Sequence, residues 1–455
     1  MPQPEHRPLD RRKFLRTTAV AALSAPSYAA IPGSNERLRV AFLGCGGRAQ
    51  AHLHLITRWQ REGLPVEAVG VCDVWDGHED DYDQLVGGRA VRRHYAQGLY
   101  PAARTCGFDP HDSTRVTRDY RRLLDRKDVD AVVIATPDHW HARMAIDAAA
   151  AGKDIFCETP MTRTSAEAIA VLDAVQRHQR VMTVATPTLA DPSWQRAREA
   201  IQAGRIGPLV HLSAGVYRND ARGQWRFYRL PPGLNSTTID WDLFLGHRFE
   251  VGGVPLGPPP GAAPFDPVTF AQWRCDARFS GGPFTDLDIH PVTRLLAATG
   301  LRFPSRVIAA SGLYHERDGR TVPDVATFIA DFAEGCQMVI TGSTATAYAQ
   351  DDLIRGRLGT VRFVRGGIEV IRETPAGTDA AGSRSTTEPV SVEPPKNETQ
   401  ALWTNFLECV RRRDRATLGS PDLGAAAVTL VALAQQSARD GVACRWDAER
   451  RTVRV

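Results

Sequence analysis

The stretch LRVAFLGCGGRA, residues 38–49, decides the fold of the first part of this chain. Its first six residues predict a short strand, and G-x-G-x-x-A then opens a helical pattern over residues 49–61. Gly44 permits a tight turn, Gly46 lets a phosphate approach the backbone, and the small Ala49 lets the helix pack on the strand. The pattern predicts a dinucleotide-binding turn, because free N–H groups at the helix start face the anion. A glycine turn in an unrelated α/β domain is the alternative.

A carboxylate follows at the spacing that such turns use. The next apolar strand, residues 66–71, leads to Asp73, which stands 24 residues beyond Ala49. An acidic side chain there binds ribose hydroxyls and would repel a 2′-phosphate, which favours NAD over NADP. The cofactor contacts predicted in this region are Gly44, Gly46, Gly47, Arg48 and Asp73.

The composition excludes several classes of protein. The chain has 455 residues, 43% hydrophobic and 24% charged, which is typical of globular proteins of two or three domains. No apolar run reaches the length of a membrane helix, so we expect no stable insertion into a membrane. Most of the net charge of +4 lies in residues 1–29, and the balanced remainder gives no reason to expect a nucleic-acid partner. The eight cysteines include no C-x-x-C pair, and no metal site is predicted.

The first 29 residues have the features of an export signal. Arg11 and Arg12 precede Phe14 and Leu15, an apolar stretch follows, and small residues lead to Ala29. This order predicts a signal peptide, and the paired arginines favour the twin-arginine route. We therefore expect a periplasmic or otherwise exported protein that meets the twin-arginine translocation machinery. That route carries folded proteins and suits one that loads a cofactor in the cytoplasm. A disordered basic tail is the alternative.

Polar side chains follow the next two buried strands. The apolar run 129–135 ends in TPDHWH, residues 136–141, and the following strand precedes Glu158. Strands that alternate with helices predict a doubly wound, Rossmann-type parallel sheet with ligands at the carboxyl ends of its strands. For His139 and His141, helix capping without chemistry is the alternative. The further predicted cofactor contacts are Thr136, Pro137, His141 and Glu158.

The second part of the chain predicts a different sheet. Apolar side chains alternate with period 2 in six segments, which indicates a large, open and mostly antiparallel sheet. The segments are residues 210–216, 306–311, 325–332, 337–344, 358–364 and 367–372. The segment GGPFTDLDIHPV, residues 281–292, places Asp286 and His290 four positions apart, on one face of a helix. A capping Asp with a buried His, or a metal site, are the alternatives. The aromatic and Arg side chains of residues 216–228 suit a carbohydrate or the rim of an oligomer interface.

These patterns predict an α/β protein with two sheets of different kinds. Residues 77–118 are polar and irregular with helical patches, which predicts an insertion in the first domain. The predicted segments are a signal peptide (1–29), an NAD-binding domain (36–190), a substrate and oligomerisation domain (191–395), and C-terminal helices and a tail that pack back on the first domain (396–455).

These residues resemble a known family, that of glucose–fructose oxidoreductase and inositol dehydrogenase (Gfo/Idh/MocA). The resemblance covers nearly all of the chain from about residue 36. Besides the motifs above, it rests on residues 119–121, 151–158 and 239–242. It implies a nucleotide-binding first domain and a second domain whose open sheet commonly forms an oligomer interface. It also implies hydride transfer at a hydroxyl of a sugar or cyclitol. Asp286 would then bind substrate hydroxyls, and His290 would be the catalytic acid and base.

The chain departs from the family where the chemistry is sensitive. The family has Glu-Lys-Pro, whose lysine usually handles the substrate proton, but here Thr159 stands between Glu158 and Pro160. A second departure is Asp288 in place of glycine, which either adds a carboxylate to the site or bonds to the backbone. The lysines that follow the signal are Lys127, Lys153 and Lys396. None is an obvious replacement.

We therefore expect an exported NAD-dependent oxidoreductase that acts on a small sugar-like substrate and forms a homo-oligomer. Some relatives without the lysine are redox-neutral NAD-dependent glycoside hydrolases, which oxidise a ring hydroxyl, eliminate the aglycone, add water and return the hydride. That chemistry is the main alternative here. A sugar-binding protein that has lost catalysis is a third, and the retention of Asp286 and His290 argues against it.

Overall fold

The computed structural model describes residues 37–86, 89–373 and 385–454, so the predicted signal lies outside the described residues. The strands of the first domain are β1 (Leu38–Leu43), β2 (Val66–Cys72), β3 (His78–Val86), β4 (Arg89–Gln97), β5 (Val116–Thr117), β6 (Ala131–Ile134), β7 (Asp154–Glu158) and β8 (Met182–Ala185). Its helices are α1 (Gly47–Arg61), α2 (Leu99–Thr105), α3 (Arg121–Leu124), α4 (Asp138–Ala150) and α5 (Ser165–Arg177). The sheet order β5-β2-β1-β6-β7-β8, with parallel pairing, confirms the predicted doubly wound domain.

Strand β1 is buried on both faces of this sheet. Val40 and Phe42 join one apolar cluster, whereas Ala41 and Leu43 join the other. This double burial explains why β1 is a nearly continuous apolar run rather than an alternating one. Burial of a side chain such as that of Phe42 contributes about 2 kcal/mol, so the strand that precedes the glycine turn is firmly held.

The first part of the insertion after β2 is regular, so the expectation of irregular structure is wrong there, whereas residues 106–115 lie outside helices and strands. Residues 78–86 pair with residues 89–97 as the antiparallel hairpin β3–β4, and α2 follows it directly. The hairpin strands carry charged rather than apolar side chains, so period-2 hydrophobicity does not reveal them. Cross-strand pairs stabilise it instead, for example His94 Nδ1 with Asp81 Oδ1 at 2.8 Å.

The second domain is built on the predicted open sheet. Its strands are β9 (Leu209–Asn219), β10 (Glu250–Val251), β11 (Val254–Pro255), β12 (Arg306–Gly312), β13 (Val325–Phe332), β14 (Cys336–Ser343), β15 (Ala345–Thr346), β16 (Leu353–Gly356), β17 (Gly359–Val364), β18 (Gly367–Glu373), β19 (Ser385–Ser391), β20 (Cys444–Asp447) and β21 (Thr452–Arg454). The main sheet runs β19-β18-β17-β16-β9-β14-β13-β12-β20-β21. Its pairing is antiparallel except between β9 and β14, which confirms a mostly antiparallel sheet.

The remaining helices cover this sheet and connect the two domains. They are α6 (Ser193–Gln202), α7 (Trp241–Leu245), α8 (Pro267–Ala271), α9 (Ile289–Thr299), α10 (Glu398–Arg412) and α11 (Pro421–Asp440). Helix α10 returns to the first domain, where Trp403 and Phe406 join the cluster that contains Phe42. The end of the chain behaves differently from the predicted tail, because β20 and β21 extend the second sheet next to β12. In the part of the chain that the structure describes, no helix is long and apolar enough to cross a membrane.

Candidate active site

The glycine turn joins β1 to α1 at the edge of an interdomain cavity. Gly44 has φ of +85°, and a Cβ there would lie 2.7 Å from the backbone nitrogen of Thr136. The turn therefore packs directly against the carboxyl end of β6, which only glycine permits. Gly46 precedes α1 and has open space where a Cβ would stand. The first turn of α1 carries no acidic side chain, so its free N–H groups present a positive end to the cavity.

The cavity has a volume of about 400 Å³ and is lined by both domains. Seven of the predicted cofactor contacts line it, namely Gly44, Gly46, Gly47, Arg48, Asp73, Thr136 and Pro137. The second domain contributes Tyr228, Arg229, Trp273 and Arg274, among others. His141 and Glu158 are not among the lining residues and are 1% and 8% exposed. The predicted contacts therefore divide into a cavity wall and a buried layer that supports it.

Asp73 lies at the carboxyl end of β2, beside the glycine turn. Its Oδ2 accepts a hydrogen bond from the backbone N–H of Cys45 at 2.6 Å, and its Oδ1 accepts one from that of Trp75 at 2.9 Å. Burial raises the pKa of Asp73 to about 6, although these backbone bonds favour the charged form. The carboxylate is thus fixed at the cavity wall with lone pairs left for a diol.

These residues fit NAD. The glycine turn leaves room for a pyrophosphate at the start of α1, and Asp73 offers an acceptor where an adenosine ribose would lie. Arg48 Nη2 is buried without a hydrogen-bond partner among the described residues, which leaves a donor next to the turn. When bound, NAD supplies a nicotinamide ring that accepts or returns a hydride.

Glu158 is held by a chain of hydrogen bonds that the sequence did not reveal. Its Oε1 accepts from Arg48 Nε at 2.8 Å and lies 2.7 Å from His52 Nε2. Trp403 donates its indole N–H to His52 Nδ1 at 2.9 Å, so that nitrogen carries no proton and Nε2 donates to Glu158. Burial would raise the pKa of Glu158, but His52 and Arg48 outweigh it and bring the value to about 2. Glu158 is therefore a fixed anion.

The two histidines of TPDHWH mainly make structural contacts with backbone carbonyl groups. His141 has Nδ1 2.7 Å from the carbonyl oxygen of Pro160 and Nε2 2.9 Å from that of Thr136. A neutral ring donates from only one of these nitrogens and a protonated ring from both, so His141 links the turn that contains Thr159 to the end of β6 most firmly when it is protonated. His139 Nε2 lies 2.7 Å from the carbonyl oxygen of Phe244 in α7, and burial lowers its pKa to about 3. A neutral His139 thus links the two domains through this contact. With so low a pKa it is not suited to proton transfer near neutral pH.

Asp286 belongs to a buried charge cluster that extends beyond the predicted pair. Arg274 Nη1 donates to Asp286 Oδ1 and lies 3.9 Å from Asp138 Oδ1. Thr285 Oγ1 also donates to Asp138, at 3.5 Å. Burial raises the pKa of both carboxyl groups, whereas the charge of Arg274 lowers it. Sequence reasoning missed Asp138 and Arg274, since their only local signal was an aspartate in TPDHWH and an arginine after Trp273.

The pKa of His290 is affected by charges from both clusters. Burial lowers its pKa to about 4, the charge of Glu158 raises it, and the charges of Arg48 and Arg274 lower it. Its Nδ1 has no hydrogen-bond partner in the described part of the chain. At neutral pH His290 is therefore an uncharged imidazole whose Nδ1 is buried and unpaired among the described residues. Neither His290 nor Asp286 is among the residues that line the cavity.

The local geometry before His290 differs from the regular helix predicted. Residues Phe284–Asp288 form a π-helical turn, and α9 begins at Ile289, so Asp286 and His290 do not lie on one continuous α-helix. Such turns are frequent at functional sites. Asp288 is fully buried, and a Cβ at Gly342 would collide with its Oδ1. Asp288 therefore points at strand β14. It does not add a carboxylate to the cavity, which was one of its two predicted roles.

Among the described residues, no lysine replaces the motif lysine that is missing at position 159. Lys153 Nζ donates to the carbonyl oxygens of Arg126 and Val129 at 2.6 and 3.0 Å, at the amino end of β7. Thr159 lies at the opposite, carboxyl end of that strand. Lys127 is in the loop before β6, and Lys396 precedes α10. The cations close to the site are instead Arg48 and Arg274.

The fold and the site together define a two-domain oxidoreductase with a dinucleotide-binding first domain. The family pattern described as "Oxidoreductase family, NAD-binding Rossmann fold" matches residues 38–186. The pattern described as "GFO/IDH/MocA C-terminal domain" matches residues 261–362. The chain belongs to the Gfo/Idh/MocA family, which confirms the resemblance, the enzyme class and NAD as the cofactor.

Known relatives include enzymes of two kinds. A levoglucosan dehydrogenase of Pseudarthrobacter phenanthrenivorans is 38% identical over 161 residues, 33% of this chain and 40% of that protein. The alpha-N-acetylgalactosaminidase of Shewanella oneidensis is 30% identical over 233 residues, 47% of this chain and 46% of that protein. The chain thus spans less than half the length of these curated relatives.

A solved structure supports the fold over a larger part of the chain. It is that of a levoglucosan dehydrogenase in complex with NADH, with a TM-score of 0.61 and 20% identity. The match covers 90% of this chain and 98% of that one. At this identity the likeness shows the fold.

Proposed function

We propose that this protein is an exported, NAD-dependent oxidoreductase that transfers a hydride between NAD and a hydroxyl-bearing carbon of a sugar-like substrate. The observation that carries the proposal is the buried, unpartnered Nδ1 of a neutral His290, a residue whose pKa is affected by the charges of Glu158 and Arg274. A base in that state accepts the hydroxyl proton as the hydride leaves the same carbon. The relative named a levoglucosan dehydrogenase supports a carbohydrate substrate.

The remaining residues of the site bind and orient the substrate. Asp286 accepts hydrogen bonds from sugar hydroxyls, and Arg274 holds its Oδ1 while leaving Oδ2 without a partner in the described residues. Trp273 and Tyr228 supply aromatic faces at the cavity wall, which suit the apolar face of a sugar ring. Of the two roles that the sequence left open for the segment at residues 216–228, Tyr228 supports the carbohydrate role.

The test is a panel of sugars and glycosides incubated with the purified protein and stoichiometric NAD. NADH is followed by absorbance and the products by mass spectrometry. We expect NADH and a ketone or lactone to form in equal amounts with at least one sugar. Loss of this activity in His290→Asn, with NAD binding kept, assigns the base. Equal turnover in that variant would remove His290 from the chemistry.

A redox-neutral glycoside hydrolase is the second candidate, and Thr159 is the observation that favours it. Without a lysine at that position, the site lacks the group that usually handles the substrate proton when the family's dehydrogenases form an oxidised product. The buried Asp138 and Asp286 offer a protonated carboxyl group for a leaving aglycone. A relative named an alpha-N-acetylgalactosaminidase supports this chemistry. Aglycone release in deuterated water, with deuterium entering carbon and no net NADH, would select this candidate.

Export is part of the proposal and rests on residues 1–29. We expect the full chain to reach the periplasm of a bacterial host and Arg11→Lys/Arg12→Lys to remain inside. A periplasmic location of the double variant would contradict use of the twin-arginine machinery. A protein that works there depends on a cofactor bound before export.

We further propose that the open sheet pairs with a second copy of the chain. Ile308, Ile329 and Val339 lie side by side on its outer face, and Ile308 and Ile329 are 44% and 39% exposed. An apolar row of this kind favours association. Sedimentation should show that Ile329→Lys lowers the oligomeric mass. Val254→Lys, which changes an exposed side chain of β11 away from the sheet, should leave it unchanged.

A further inference from the structure

The adenosine end of the cavity is closed by contacts between the two domains. The segment that follows β2 pairs with the loop before α7, since Asp76 N–H donates to the carbonyl oxygen of Thr238 at 2.9 Å. In return, Asp240 N–H donates to the carbonyl oxygen of Val74 at 2.8 Å. Asp73 directly precedes this segment. The carboxylate predicted to bind the ribose therefore lies at a seam between domains.

Arg229 strengthens this seam from the side of the second domain. Its Nη1 and Nη2 donate to the two oxygens of Asp80 in β3, at 2.7 and 2.9 Å. The same guanidinium lies 4.1 Å from the ring centre of Tyr82 and 4.8 Å from that of Tyr95. A two-pronged ion pair between aromatic rings is geometrically specific, and lysine could not reproduce it.

The base of the hairpin also forms part of the cofactor wall. Tyr95, Gln97 and Arg229 line the cavity together with Gly47 and Asp73. A Cβ at Gly47 would lie 2.9 Å from Gln97 Nε2, so the end of β4 stands over the glycine turn. Contacts that hold this end of the hairpin therefore also bound the space available to the dinucleotide.

We propose that Arg229 and Asp80 form an interdomain clasp that retains NAD in the cavity through successive turnovers. This inference rests on the proposed NAD-dependent function. In it, the clasp determines the rate at which NAD is released. Release of the dinucleotide past Asp73 requires the hairpin base and the loop at Arg229 to separate. Separation breaks a charge-assisted pair that is about 70% shielded from solvent on each side. Slow release suits an enzyme that works where NAD is not resupplied.

The test measures the release of NAD without any substrate. The protein is loaded with labelled NAD, freed of excess by gel filtration and mixed with a large excess of unlabelled NAD. We expect Arg229→Gln and Asp80→Asn each to speed release by about tenfold or more, the effect of losing one charge-assisted pair. The double variant should speed release by less than the product of the two single effects, because both changes remove the same pair. Any remaining difference comes from the ring contacts of Arg229 and the contact of Asp80 with His78.

Arg222→Gln is the matched control. Arg222 lies in the same segment and likewise combines an ion pair, with Asp220, and an aromatic contact, with Phe227, but neither of these two contacts involves the hairpin. Thermal unfolding without NAD checks that each variant is folded. Release from folded Arg229→Gln within twofold of the wild type, or an equal effect of Arg222→Gln, would overturn the clasp. A wild-type protein that binds no NAD would instead overturn the proposed function.

Discussion

Trp403 donates a hydrogen bond across 2.9 Å to Nδ1 of His52, although the two residues are 351 positions apart. The bond fixes the proton of His52 on Nε2, where it is donated to Glu158. The indole ring also stacks on Phe156, with ring centres 4.3 Å apart and planes 6° apart. Helix α10 therefore helps to set the charge and position of a carboxylate at the carboxyl end of β7.

Trp403→Phe separates these two contributions. Because the phenyl ring keeps much of the packing, we expect a loss of about 1 kcal/mol of stability rather than the 3 to 5 kcal/mol of a cavity. NAD affinity should fall several-fold, since His52 can then change tautomer and release Glu158. Calorimetric NAD titration and chemical denaturation measure both effects. Trp446→Phe, in a tryptophan stacked on Phe303 away from the cofactor, should leave affinity unchanged. An unchanged affinity in Trp403→Phe would contradict this role.

His290 gives the reaction a pH dependence with a definite sign. Burial lowers its pKa to about 4, so the imidazole is neutral above that pH and accepts a proton. The rate of oxidation at saturating substrate should therefore fall as the pH is lowered through about 4, whereas kcat/KM should show a further limb near pH 7 from the raised pKa values of Asp138 and Asp286. His290→Asn should abolish the rate while binding NAD normally. Absence of the limb near pH 4 at saturating substrate would show that His290 is more solvated than its surroundings indicate.

Asp138→Asn tests the coupling of Asp138 to Asp286. Burial raises the pKa of both carboxyl groups, so Asp138 stabilises the fold at low pH and this contribution is lost as the pH rises above the ordinary aspartate range. The variant should therefore lose less unfolding free energy with rising pH than the wild type. Removal of the neighbouring charge should also lower the pKa of Asp286 and move the pH profile of kcat/KM about one unit toward acid.

Asp130→Asn provides a control of opposite sign for that measurement. Burial would raise the pKa of Asp130, but its hydrogen bonds with Arg39 outweigh this and lower it. Its contribution to stability is present at high pH and is lost as the pH falls through the lowered value. Parallel pH slopes of stability in Asp138→Asn and the wild type would show that Asp138 does not retain a proton.

Asp73→Asn tests the choice between NAD and NADP. The amide cannot accept at both former oxygens, so NAD affinity should fall by about tenfold, while NADP should lose a repulsive charge and bind comparatively better. Fluorescence titration with both cofactors gives the ratio. Asp119→Asn, also at the cavity wall but paired with Arg121, should change neither affinity strongly. An unaltered ratio in Asp73→Asn would place the ribose elsewhere.

Gly44→Ala and Gly63→Ala distinguish backbone strain from close approach. Both glycines have positive φ, +85° and +81°, but only at Gly44 would a Cβ meet backbone atoms of Ala135 and Thr136. We expect Gly63→Ala to cost about 1 kcal/mol and Gly44→Ala about 3 kcal/mol, with NAD binding lost only in the latter. Denaturation midpoints and NAD titration measure this. Equal costs would mean that the turn adjusts to a side chain.

Short sequence motifs predicted those features of the site that depend only on residues close together in the chain. The turn at Gly44 and the carboxylate at Asp73 follow from a short stretch with fixed spacing. The pairing of Arg274 with Asp286 and Asp138 does not, because a π-helical turn and a contact between domains bring these groups together. The hairpin that carries Asp80 was missed because ion pairs rather than an apolar face hold its strands.

The most direct test of the central claim is a single-turnover measurement of hydride transfer to the bound cofactor. NAD-loaded protein is mixed rapidly with each member of a sugar and glycoside panel, and NADH absorbance is followed in the wild type and in His290→Asn. We expect lasting or transient NADH with at least one sugar. Its formation should be slower with deuterium at the reacting carbon and absent in the variant. No NADH in the wild type with any sugar, or an equal rate in His290→Asn, would contradict it.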